Sequence, residues 1–327
     1  MTTGKNTGNT CFILHGDSRK KLSFLKESVD LIVTSPPYAD ARKKHYDSIP
    51  PDDFSDWLSS FHEAFWQALK PDGSLVINIK DKVVDGVRCH FVWKTIEELT
   101  QRGWYCIEDY IWHKTNPMPG FWPTRLRDGW EYCFHLSKTK RPYMNQDAVR
   151  VPIGEWVKTR LQKLGKNDKQ RHNSSNESGF GRDLSRWVDQ ETVLPSNVLS
   201  IPLVGKNMGH PAVFPIELPE FFIKLLSRPG SLVVDPFGGS GTTGIAALQN
   251  DRDCVLIDTD LDYCKVAMQR LNKENLSKKH KIVFEETPVV YSKKEEAKVA
   301  SQLLLALREQ HALYFSKKKS VGVSLSL

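Results

Sequence analysis

Residues 230–249, GSLVVDPFGGSGTTGIAALQ, change character twice in a short span. LVVD is apolar and β-branched, as suits a strand buried on both faces; PFGGSG is a turn; TTGIAALQ reads as a helix. Gly239, Gly241 and Gly244 satisfy G-x-G-x-x-G between the two, and Asp258 closes the next apolar run, CVLID. Glycines permit the tight turn and the close approach of backbone to a ligand. Alone, such a turn also serves simply to pack a helix tightly on a sheet. With strand, helix and carboxylate together, the stretch predicts an adenosine site in which Asp258 accepts the ribose hydroxyls.

On either side, strand and helix signals alternate. CFILHGD reads as a strand ending at Asp17, residues 18–27 as a helix, and VDLIVT, residues 29–34, as a second buried strand. FSDWLSSFHEAFWQALK has helical periodicity and is closed by PDG; GSLVINIK is a strand; VWKTIEELTQRG is a helix with a C-terminal glycine. CIEDYIWHK and EYCFHLSK read as strands, FPIELPEFFIKLLS and YCKVAMQRLNKEN as helices. Strands spaced by helices predict an α/β fold with a doubly wound, mostly parallel sheet.

Composition narrows the class. A chain of 327 residues, 39% hydrophobic and 26% charged, has the make-up of an ordinary globular protein with room for one large domain or a domain and a subdomain. The start, MTTGKNTGNT, is polar, and no apolar run approaches the roughly 18 residues that a membrane span requires. A cytoplasmic protein without a membrane partner is expected. The six cysteines form no C-x-x-C and no His-paired zinc spacing, which predicts buried free thiols and no metal site.

The net charge of +7 is unevenly spread. Lys158, Arg160, Lys163, Lys166, Lys169, Arg171, Arg182 and Arg186 face only Asp168, Glu177 and Asp183 in a polar stretch rich in Gly and Ser. That stretch is either a solvated basic face or a set of loops that neutralises phosphates beside an active site. Residues 294–315 have the spacing of an amphipathic packing helix.

Two further features separate the possible cofactors. A nicotinamide dehydrogenase normally carries its glycine turn early in the cofactor domain; here it lies late, directly after Asp235. A carboxylate there would repel a pyrophosphate, yet it suits the ammonium of the methionine part of S-adenosylmethionine. Meanwhile VDLIVT runs into SPPY, residues 35–38. Pro36 and Pro37 stop the strand, fix the chain just beyond it, and leave the Ser35 and Pro36 carbonyls without ordinary ladder partners.

TSPPY followed by DPFGGSGTT resembles the amino-methylating DNA methyltransferases, and the order, catalytic motif first, resembles their circularly permuted β class. The likeness covers roughly residues 11–275 and takes in HGD, LKPDGSLVINIK, YIWHKTNPMP, WEYCFHLSK and GHPAVFPIELPEFFIKLLSRPGSLVV. It implies an S-adenosylmethionine-dependent enzyme that methylates the exocyclic amine of a base flipped out of duplex DNA. Such an amine is a poor nucleophile because its lone pair is delocalised into the ring. The Ser35 side chain and Pro36 carbonyl would hold its two hydrogens and favour a pyramidal nitrogen, with Pro37 keeping the acceptors fixed and Tyr38 stacking on the base. No covalent nucleophile is needed, and the chain lacks the Pro-Cys pair of carbon-5 enzymes.

By the same resemblance, Asp235, Phe237, Gly239, Gly241 and Thr242 form the methionine side and the turn, Asp258 holds the ribose, and Asp17 lies near the adenine. His210 and Pro211 either line the pocket or mark a helix entry. Trp112 is either a second pocket wall or core, and His113 is expected to be structural rather than a general base, since the amine's proton becomes acidic only after methyl transfer and can leave through water. The resemblance divides the chain into a catalytic half (1–144), a target-recognition region (145–205), a cofactor half (206–275) and a basic C-terminal extension (276–327). Serine at position 35, where adenine-specific relatives more often carry aspartate, points to cytosine N4, with adenine N6 as the alternative. An RNA or protein methyltransferase and a catalytically silent DNA-binding module are further alternatives. Expected partners are double-stranded DNA and a cognate restriction endonuclease, for a bacterial or archaeal, nucleoid-associated monomer or homodimer.

Overall fold

The computed structural model describes residues 8–39, 49–155, 159, 190–204, 214–274, 276–285 and 305. Contacts divide the chain into two compact units, one comprising residues 1–145 and 197–327, the other Gln146–Ser196. In the first, strands β1 (Thr10–His15), β2 (Val29–Thr34) and β3 (Leu69–Ile79) are followed by a short hairpin of β4 (Val83–Val84) and β5 (Val87–Arg88), then by β6 (Tyr105–His113) and β7 (Trp130–Ser137). The second unit contributes β8 (Val151–Pro152) and β9 (Thr192–Val193), which pair antiparallel. The chain then returns to the first unit with β10 (Val198–Ser200), β11 (Leu232–Asp235), β12 (Asp253–Asp258) and β13 (Lys281–Glu285).

Nine of these strands form one sheet in the order β10-β6-β7-β3-β2-β11-β12-β1-β13. Every pairing is parallel except the two made by β7, so the expected doubly wound, mostly parallel sheet is present. The sequence order breaks between β2 and β11, which lie side by side: Leu31 pairs with Val233 and Ile32 with Val234. This is the crevice at which open α/β sheets bind their ligands, beyond the C-terminal strand ends.

The helices are α1 (Ser18–Lys21), α2 (Phe54–Ser59), α3 (His62–Ala68), α4 (Phe91–Gln101), α5 (Glu217–Leu226), α6 (Thr242–Gln249), α7 (Leu261–Lys273) and α8 (Leu276–Lys279). Strand side chains alternate between two helical layers. Phe12, Ile32, Leu75, Val234 and Val255 pack with Phe54, Phe65 and Phe91 of α2, α3 and α4 in one buried cluster. Leu31, Val233 and Cys254 are buried on the opposite face, where α5 and α6 pack. Truncating a fully buried residue such as Ile32 to alanine would cost about 2–5 kcal/mol.

Several expectations change. The 54–70 helix is two helices, broken where the Ser60 hydroxyl donates back to the Trp57 carbonyl (2.6 Å). The PDG after it is a bulge within β3, where the register jumps from Leu69 to Ser74, rather than a helix cap. Residues 18–27 hold only α1 and a 3-10 turn, Leu22–Leu25. The tail beyond residue 276 supplies α8 and the edge strand β13, parallel to β1. The compact second unit spans Gln146–Ser196, and Val198–Ser200 pair with β6 in the main sheet. All six cysteines are free; four are buried, Cys89 is half-buried and Cys106 is exposed. The expected 294–315 helix lies outside the described residues apart from Leu305. No described helix is long and apolar enough to cross a membrane.

Candidate active site

The parallel pairing of β2 with β11 brings the two motifs together at their strand ends. Thr34, last residue of β2, donates to Asp235 Oδ1 at 2.6 Å. Thr243 in the first turn of α6 donates to Oδ2 at 2.6 Å, and the Phe237 amide to Oδ1 at 3.1 Å. Asp235 is only 1% exposed, and burial pushes its carboxyl up against the pull of these donors. A carboxylate offers about four lone-pair sites, and three are filled from within the chain. Asp235 thus latches SPPY to the glycine turn.

That turn owes its shape to Gly239 and Gly241, both left-handed with φ of 49° and 80°. A Cβ on Gly241 would lie 2.9 Å from the Ala267 Cβ of α7. Arg270 of α7 clamps the turn, donating to the Ser240 carbonyl at 2.8 Å and the Thr242 hydroxyl at 3.0 Å. Next along the sheet, Asp258 accepts from the amides of Gly239 (2.8 Å) and Asp260 (2.9 Å). Burial nevertheless pushes its carboxyl up to about 6. Beyond it, Asp17 caps α1 and pairs with Arg19 (2.7 Å). Burial alone would raise the Asp17 carboxyl, but the Arg19 guanidinium and amide hold it below its usual value. Ser18 donates its hydroxyl to the Pro236 carbonyl. The Phe237 ring packs against Trp57 and Phe61, at centroid distances of 5.6 and 5.0 Å.

On the other side of β2 the chain builds a relay that runs from half-buried Ser35 and Tyr38 to a buried ion pair. Ser35 Oγ donates to the Tyr38 hydroxyl at 3.4 Å, and that hydroxyl donates to Glu131 Oε2 at 2.6 Å. Glu131 Oε1 takes the Lys114 ammonium at 2.5 Å, and both members of this pair are under 10% exposed. Burial, then the Glu131 charge, holds the Tyr38 phenol well above its ordinary value, so it stays a neutral donor. Trp112 is buried, donates to the Ile201 carbonyl at 2.9 Å, and carries the Lys114 ammonium 5.1 Å above its ring. It fills the core beneath Lys114. His113 is exposed, with Nδ1 3.1 Å from Ser200 Oγ.

Ser35, Pro36, Pro37, Tyr38, Asp17, Asp235, Phe237, Gly239, Gly241 and Asp258 are all at the C-terminal ends of adjacent strands or in the loops that leave them, and Thr242 opens α6 directly after the glycine turn. His210, Pro211, Lys158, Arg160, Lys163, Lys166, Lys169, Arg171, Arg182 and Arg186 lie outside the described residues. Sequence reasoning missed Glu131, Lys114 and Ser18. The available signal was a lone carboxylate in the otherwise uncharged run WEYCFHLS, one strand from a lysine.

A parallel sheet with a glycine turn and acidic strand ends at its topological switch is the architecture of doubly wound α/β folds that bind an adenosine cofactor. A family profile described as DNA methylase matches residues 29–269. Type II methyltransferase M.PvuII of Proteus hauseri is 32% identical over 286 residues, covering 80% of this chain and 84% of its own. M.SmaI of Serratia marcescens is 28% identical over 297 residues, covering 80% and 91%. Among solved structures, the PvuII DNA methyltransferase (cytosine-N4-specific) superposes with a TM-score of 0.60 at 26% identity, covering 92% of this chain and 93% of that one. A Thermus thermophilus protein solved in complex with S-adenosylmethionine gives a TM-score of 0.55 at 25% identity, covering 85% and 100%. The chain belongs to the DNA methylase family, as an amino-methylating DNA methyltransferase.

S-adenosylmethionine is its cofactor and, when bound, supplies the sulfonium methyl group. The residues fit it. The turn between β11 and α6 carries no side chain at Gly238, Gly239 and Gly241, the last two left-handed, and Asp258 presents a half-buried carboxylate at the next strand end.

Proposed function

We propose that the protein methylates the N4 amine of cytosine in double-stranded DNA, at a specific site, as the modification half of a restriction-modification system. The observation that carries this reading is the direction of the Ser35–Tyr38–Glu131 relay. With the serine hydrogen directed at Tyr38, the lone pairs of Ser35 Oγ remain to accept a substrate N–H. The Pro36 carbonyl takes the second amine hydrogen, and the two acceptors stabilise positive charge developing on nitrogen. Pro37 keeps the segment rigid. Glu131 fixes the Tyr38 hydroxyl so that its ring stacks on the extruded base, stacking being worth roughly 1–3 kcal/mol. The proton released after transfer leaves to solvent, with His113 structural.

On the cofactor side, Asp258 receives the ribose hydroxyls, Phe237 forms an apolar wall, and Asp17 lies near the adenine. Thr242, Gly239 and Gly241 shape the turn. Asp235 orders that turn first, leaving one acceptor position for the ammonium. The region around Gln146–Ser196, with its lysines and arginines, reads the DNA sequence and its phosphates. The neutral serine, together with the cytosine-N4 specificity of the PvuII structural neighbour, supports cytosine over adenine.

The test is methylation of mixed-sequence duplex DNA with labelled S-adenosylmethionine, digestion to nucleosides and mass identification of the product. N4-methylcytosine is expected. N6-methyladenine would overturn the serine argument alone, and no labelled nucleoside would overturn the DNA substrate.

A further inference from the structure

The loop between β6 and β7, residues 114–129, leaves the sheet at the relay itself: Lys114 and Glu131 flank it, and the Lys114 amide donates to the Gly129 carbonyl at 2.7 Å. Both limbs are held. Asn116 exchanges hydrogen bonds with the Leu203 backbone (2.6 and 3.3 Å), and Asp128 ties the other limb to Lys80 (3.2 Å) and Arg88 (3.0 Å). Between these anchors, Met118, Phe121 and Leu126 are 72%, 88% and 90% exposed. A firmly anchored loop that projects bare apolar side chains beside a catalytic pocket has no folding rationale.

Its charge identifies the occupant. Asp128 is shared by Lys80, Arg88 and Arg125, which leaves two positive charges in excess at the loop's base, and Arg127 adds an exposed third. A second copy docked by two-fold symmetry would set this excess against itself, and side chains this proud would not lie flush in a flat face. A polyanion with a gap into which apolar groups can enter meets both conditions. Duplex DNA with one base flipped out is such a partner, since apolar wedges enter unstacked steps while cations take the flanking phosphates.

We propose that this loop is a wedge that enters the duplex beside the extruded base, with Phe121 and Leu126 inserted and the cations at its base on adjacent phosphates. The proposal rests on the duplex-DNA reading above. It is tested on the target site, mapped by sequencing DNA that the wild-type protein has methylated. Two duplexes are compared, one fully paired and one with a mispaired base opposite the target. For F121A/L126A, kcat/KM on the paired duplex falls about tenfold or more, because flipping costs a few kcal/mol. On the mispaired duplex, where pairing is already broken, it stays near the wild-type value. S-adenosylmethionine affinity is unchanged, and F121L, which keeps an apolar tip, retains most of the paired-duplex activity.

Equal rates for both proteins, or an equal loss on both duplexes, overturn the wedge while leaving the DNA reading intact. A wild-type dimer that F121A/L126A converts to a monomer assigns the face to a second copy and overturns it as well. Failure of the wild-type protein to methylate any DNA removes the substrate reading and the wedge with it.

Discussion

The two sides of the strand-end crevice hold their carboxylates by different means. On the cofactor side, Asp258 takes the Asp260 amide two residues on, and Asp235 takes the Phe237 amide and the Thr243 hydroxyl eight residues on. On the base side, Glu131 is held by Tyr38, 93 residues away, and by Lys114, just past the end of the neighbouring β6. One side is a turn that caps its carboxylates largely from local sequence, with the Thr34 hydroxyl of β2 added across the sheet. The other is an ion pair assembled by the sheet, without a local substitute should one member be lost.

The largest effect is therefore expected at Glu131. Glu131→Ala leaves the Lys114 ammonium buried and unpaired, which costs about 3–5 kcal/mol. Replacing both residues by methionine restores most of the melting temperature but not turnover, since Tyr38 stays unanchored. Recovery of turnover in the double variant would erase the contrast between the two sides. Next is Asp235→Ala. Three donors lose their acceptor, for a total of about 3 kcal/mol, and S-adenosylmethionine binding is lost in titration calorimetry.

Ser35→Ala sharpens the comparison from the other direction. It should lower kcat about 100-fold, as removal of a donor or acceptor aimed at developing charge does, and leave cofactor affinity intact. Loss of cofactor binding in this variant would place Ser35 on the wrong side of the crevice.

A smaller effect is a pH dependence on the cofactor side. Asp258 is pushed up to about 6, so the folded state holds this proton more tightly than the unfolded chain does. Its contribution to stability is full below about pH 4 and is lost as pH rises through 6. Cofactor affinity runs the opposite way, because a protonated Asp258 is a poorer acceptor. The dissociation constant should rise about tenfold per unit below pH 6, and Asp258→Asn should flatten the profile. Smallest of all, F121A/L126A should shift stability by less than about 0.5 kcal/mol, as exposed substitutions do, despite its effect on duplex methylation.

The sequence by itself determined the α/β class, the strand-turn-helix at Asp235–Gln249, the strand ending at SPPY and the acidic end of CVLID. Each is a short-range consequence of side-chain periodicity, of glycine's access to positive φ or of proline's missing amide proton. It could not determine which strands are neighbours. Only the sheet order set Thr34 beside Asp235, converted Lys114, Glu131 and Tyr38 into one relay, turned PDG from a helix stop into a bulge, and added Lys281–Glu285 as an edge strand. Those contacts join residues far apart in the chain. Their energy exists only once the strands are paired and water is excluded, so no local pattern records it.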